Sequence, residues 1–91
     1  MKTGKVGTGG GPGLIRLGAL GSGEVGTLHD VLAGRGLLSR LSALGFTPGV
    51  ELTMVQNFGT GPVIVSVRGT RIALGRGEAD KIRVSRSGGE Q

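Results

Sequence analysis

Between Val63 and Leu74 apolar side chains fall at every second position on both sides of a glycine-led break, and few folds can accept that pattern. Val63, Val65 and Val67 alternate with Ile64, Ser66 and Arg68, the period of a half-buried strand. After Gly69-Thr70 the alternation resumes with Ile72 and Leu74. A two-residue loop with glycine first predicts a type II′ hairpin turn. In that register Arg68 faces Arg71, Val67 faces Ile72 and Val65 faces Leu74, with the apolar four on one side. Like charges directly opposed are mildly destabilising. Either the two guanidinium groups splay into water, or an anionic group sits between them. Exposed pairs contribute little, which favours the first reading.

A chain of 91 residues is one small domain, near the lower limit of what folds without a covalent staple. There is no cysteine, so neither disulfides nor thiolate metal sites are available, as suits a cytoplasmic protein. With two phenylalanines and no other aromatic residue, the core must be aliphatic. A stacking platform for single-stranded nucleic acid is also excluded. Residues 1–13 are nearly half glycine without apolar period, and 87–91 are similar. Both ends are predicted to be disordered tails around a domain spanning 14–86. The formal charge is +5, but between Leu14 and Ser85 eight basic side chains stand against five acidic ones. Such a balance favours an acidic partner or a membrane-surface neighbour without specifying either. No apolar run approaches the roughly 20 residues of a membrane-spanning helix, and the start lacks the apolar core of a signal peptide.

Before the hairpin, Leu14–Leu20 is expected to form an edge strand or a turn over the core, with an edge left open to pairing between copies. Residues 24–32 read as the first main strand, with Gly26 marking a bulge or bend. In Gly36–Gly45 the leucines at 37, 38, 41 and 44 form one helical stripe, with Gly45 as the left-handed cap and Pro48 barring continuation. So short a helix persists by plugging one end of a sheet. Val50, Leu52 and Met54 begin another strand, and Asn57–Gly61 reads as a flexible loop. Glu78–Lys81 suggests a 3₁₀ turn before a last strand carrying Ile82 and Val84. The sum is a mostly β chain of about five strands and one short helix, bent into an SH3-like barrel.

Three motifs bear on chemistry. Gly21–Gly26 matches G-x-G-x-x-G, but a strand follows where the dinucleotide fingerprint requires a helix, so the match is chance. His29 is the sole histidine and the one candidate metal ligand. Its neighbour Asp30 should project to the opposite face of the strand, so an ion held within one chain lacks a second donor. A site completed by another copy stays open. No nucleophile–base or paired-carboxylate arrangement is placed by spacing, which argues against an enzyme.

The segment LLSRLSALGFTPGVELTMVQN, followed by GPVIVSVRGTRIALGRGEADKIRV, closely resembles the FeoA family. The likeness lies in the leucine-rich helix ending Leu44–Gly49, the Val67–Leu74 hairpin and the Glu78–Ile82 turn, and extends over 14–85. It implies a small SH3-like cytosolic protein of ferrous iron uptake, acting with a FeoB-type membrane transporter that carries a G-protein domain. The matching positions are glycines, a proline and core aliphatics, so the resemblance implies no catalytic residue and no defined metal or cofactor site. The same module serves as an interaction domain in iron-dependent repressors, which supplies an alternative reading. A nucleic-acid-binding barrel is a third, weakened by the missing aromatics and thin charge. Arg68, Arg71 and Arg76 are expected to form a basic outer ridge. Arg40, Phe46, Arg68 and Arg71 are the candidates for partner contact.

Overall fold

The computed structural model describes residues 13–86. The expected tails lie outside that range except for Gly13. The hairpin forms from β4 (Val63–Val67) and β5 (Thr70–Leu74), but its corner sits one residue earlier than the sequence suggested. Val67 pairs with Thr70, Ser66 with Arg71, Val65 with Ile72 and Val63 with Leu74. Arg68 and Gly69 are therefore the central residues, both with positive φ, 53° and 82°. That is a type I′ turn rather than II′. Arg68 lies in the turn itself, so the expected Arg68–Arg71 opposition does not exist. The register moves by two residues, which preserves the faces: Val65, Val67 and Leu74 are buried, and Ile72 packs against them.

Four further strands complete a six-stranded antiparallel sheet, one more than expected: β1 (Leu14–Arg16), β2 (Val25–Val31), β3 (Glu51–Gln56) and β6 (Ile82–Arg86). Their order is β1-β6-β2-β3-β4-β5. Inward residues of this sheet, among them Leu28, Leu52, Met54, Ile82 and Val84, share one aliphatic core. Each such side chain taken fully from water contributes about 1.5–3 kcal/mol before the entropy of ordering it is set against that gain. Among the described residues no polar or charged side chain is buried.

A single 3₁₀ turn, Leu17–Ala19, follows β1 and lowers Leu17 and Leu20 into the core. The β2 bulge falls at His29, between Leu28 and Asp30, not at Gly26. Gly26 serves a different need. A Cβ there would lie 3.2 Å from Leu20 Cδ1 and 3.3 Å from the Ser85 carbonyl, so a larger residue would push its neighbours back by a few tenths of an ångström.

Helix α1 runs Arg35–Ala43 and stops as its sequence dictates. Gly45 takes φ 100°. Its N–H donates to Ser42 O (3.0 Å) and that of Phe46 donates to Leu41 O (2.9 Å), the paired bonds of a Schellman ending. Of the predicted leucine stripe, only Leu41 is buried and Leu37 partly so. Leu38 and Leu44 flank the stripe and stay 40% and 43% exposed. The helix thus touches the core along one line, and Phe46 fills the width that a broader contact would have covered. The Glu78–Lys81 turn closes with the Lys81 N–H donating to Glu78 O (3.1 Å), and it follows from a short α-helix, α2 (Arg76–Ala79), where the Glu78 carboxylate accepts from the Gly75 N–H.

Candidate docking site

The four predicted contact residues divide between three environments. Phe46 is only 1% exposed and belongs to the core, because the Schellman ending swings it under the helix. It is removed from the surface set. Arg71 stands on the outer face of edge strand β5, opposite Ser66. Arg68 leans the other way: a Cβ on Gly45 would meet its Cδ at 3.5 Å and Nε at 3.9 Å. Its guanidinium stem is therefore laid across the C-terminal end of α1, where the helix dipole favours positive charge. Arg40 lies one helical turn before Leu44, on the same side of α1, and pairs with Glu78 of α2.

The structure thus places Arg40, Leu44 and Arg68 at the last turn of α1, whereas Arg71 stands on strand β5. Leu44 was missed from sequence because a leucine in helical register was assigned inward. A signal was present: Leu44 is the last residue before the cap glycine, at the C-cap and outside the helix body. All three side chains are exposed.

Arg76 leaves the predicted outer ridge for a structural reason. Half-buried, it donates to Gly61 O (3.0 Å), Gly18 O (3.1 Å) and Asn57 Oδ1 (2.8 Å). Asn57, expected in a flexible loop, is the hub of that network. Its Nδ2 donates to Gly18 O (2.9 Å) and Leu20 O (2.7 Å), and its Oδ1 also accepts from the Gly59 N–H (2.8 Å). Ser22 Oγ accepts from the Asn57 N–H at 2.9 Å. Nothing in a single sequence marks an asparagine in a glycine-rich loop as a hub.

His29 is exposed at the β2 bulge. Both oxygens of the adjacent Asp30 are taken by Arg83, at 2.8 and 2.6 Å. Those hydrogen bonds, opposed in part by desolvation, hold the Asp30 carboxyl below its usual range. Asp30 is therefore not free to join His29 on an ion without breaking that pair. Among the described residues no three His, Cys, Asp or Glu side chains converge on one point. The donor set does not fit a resident metal, and no chemistry is assigned through one. Gly21–Glu24 forms a turn that feeds β2, so the glycine fingerprint leads into a strand, as its context indicated.

Comparison with known proteins converges on one family. Residues 15–86 match the FeoA domain. A Methanocaldococcus jannaschii chain assigned as Fe(2+) transport protein A is 42% identical over 62 residues, covering 68% of this chain and 74% of that one. The crystal structure of an iron uptake regulatory protein, FeoA, superposes with a TM-score of 0.77 at 31% identity, over 81% of this chain and 99% of the other. Stenotrophomonas maltophilia FeoA, described as a procaryotic SH3 domain protein and complexed with zinc, gives 0.69 at 32%, over 78% and 93%. A manganese-dependent transcriptional repressor shares the fold, with a TM-score of 0.76 at 22% identity over 84% of this chain and 43% of its own. No helix of the described residues is long and apolar enough to cross a membrane.

Proposed function

The chain belongs to the FeoA family, and on that premise we propose that it is a non-enzymatic accessory protein of ferrous iron uptake, docking on the cytosolic G-protein part of a FeoB-type transporter in the cytoplasm. The observation that carries the docking reading is Arg68. A bulky cationic residue occupies a left-handed turn position that asparagine or glycine would fill without strain, and it lies over α1 beside exposed Leu44. Strain kept at an exposed corner is a reason to look for a partner there. Arg40 and Leu44 extend the same surface, and the network around Asn57 and Arg76 holds α2 and its Glu78 in place behind it.

The repressor-module alternative has the fold alone in its favour, and the nucleic-acid reading gains no aromatic platform or dense basic face from the structure. The test is a calorimetric titration of the chain into the transporter's cytosolic domain, in its apo, GDP and GTP-analogue states. Binding is expected in at least one state and should weaken at least ten-fold with Leu44→Asp or Arg68→Ala. No heat in any state, or binding indifferent to both variants, would count against the docking surface.

A further inference from the structure

Strand β5 pairs with β4 alone among the described strands, so one of its edges is open. The I′ turn decides which groups line that edge. In a two-residue hairpin the closing pair, here Val67 and Thr70, exchanges both backbone bonds, and so do the alternate pairs Val65–Ile72 and Val63–Leu74. The N–H and C=O of Arg71 and Ala73 therefore point away from β4, and among the described residues nothing meets them. On the inner face Ile72 is only partly covered, although Val65 and Leu74 beside it are buried.

We propose that this edge takes β5 of a second copy of the chain, antiparallel, about a two-fold axis through Ile72. The axis makes the exposed groups self-complementary. The Arg71 N–H donates to the second copy's Ala73 carbonyl, the Arg71 carbonyl accepts from that Ala73 N–H, and symmetry repeats both. Ile72 meets its counterpart at a non-hydrogen-bonded position, where side chains approach closest, and the inner apolar face continues across the junction. Charge selects the register. Centring on Arg71 would oppose two guanidinium groups, whereas centring on Ile72 sets each Arg71 against an alanine. The other open edge, on β1, has three residues to offer against five in β5. An isologous β5–β5 contact also closes as a dimer, while β1 on β5 would propagate.

The test is sedimentation velocity of the full chain across a concentration series to about 1 mM, a range that reports even weak self-association. A reversible dimer is expected, tighter at moderate than at low salt because both copies are cationic. Ala73→Glu places a carboxylate opposite the second copy's Arg71 and should tighten the dimer about ten-fold, while Ala73→Arg should weaken it by a similar factor. Ala73→Pro deletes an outward N–H without costing the β4–β5 ladder a bond, and should abolish the dimer while circular dichroism stays native. The opposite responses of the Glu and Arg variants, both on an exposed site, keep the test decisive if the proline variant misfolds. A chain monomeric throughout, or a dimer that treats Glu and Arg alike, overturns the proposal. So does a monomer whose Ala73→Pro variant loses the transporter's cytosolic domain, since the edge would then belong to that partner.

Discussion

Arg68 is the residue at which folding and the proposed docking make opposite demands. A non-glycine residue at φ 53° crowds its Cβ against the following carbonyl. In the first central position of a I′ turn, asparagine or glycine would relieve that crowding. Arg68→Gly is expected to raise stability by about 1 kcal/mol, read as a shift in urea midpoint without change in slope. The gain is trimmed by the lost packing over Gly45 and by the freer unfolded chain. If the corner is a contact surface, the same variant should bind the transporter domain more weakly while being more stable. A variant that loses stability would show that the stem of Arg68 holds the helix end more firmly than the turn strains it. The sequence displayed the hairpin plainly but not its corner, because Gly69-Thr70 and Arg68-Gly69 both satisfy alternation. The faces survived since the two registers differ by two residues, whereas every statement about which arginine opposes which did not.

At the scale of elements, what sequence makes legible is what a backbone does locally. The helix end at Gly45, the turn into β2 and the alternation in β3 to β5 all follow from residues within a few positions of each other. Long-range polar contacts have no such signature. Asn57 ties the β3–β4 loop to the 3₁₀ turn nearly forty residues earlier, and Arg76 of α2 closes the triangle. Asn57→Ala removes the donor that satisfies the Leu20 carbonyl, one of the two donors to the Gly18 carbonyl (Arg76 is the other), and the acceptor facing Arg76. A loss of about 2–3 kcal/mol is expected, the cost of leaving part-buried polar groups unmet. Hydrogen exchange should locate it: amides of the loop after β3 and of α2 should lose protection before those of β2 and β6. A uniform loss across the sheet would mean that Asn57 supports the global fold rather than this junction. The proposed docking surface was half legible for the same reason. Arg40 and Arg68 stand out as charges, but that Leu44 is a surface residue shows only in the packing of the folded chain.

For the whole molecule, the aliphatic core has no titrating group, so pH acts on the fold through partly exposed carboxylates and their ion pairs. Two of them tie the β2–β6 half together: Asp30 with Arg83, and Glu24 with Arg86. The Asp30 carboxyl is held low chiefly by hydrogen bonds from Arg83. That of Glu24 is held low chiefly by the Gly21 N–H at 2.6 Å, with Arg86 adding a smaller attraction. A carboxyl whose folded value is depressed stabilises the fold above its unfolded value, near pH 4, and loses that contribution as pH falls through the folded value. The denaturant midpoint should therefore be flat from about pH 7 to 5 and fall below about 4. Asp30→Asn should flatten the acid limb and lower the neutral plateau, because Arg83 keeps its position without its partner's charge. Both sites are partly exposed, so added salt should shrink the difference between wild type and variant. A midpoint that instead rises on acidification, or a variant with an unchanged acid limb, would show that these pairs do not hold the two strands together.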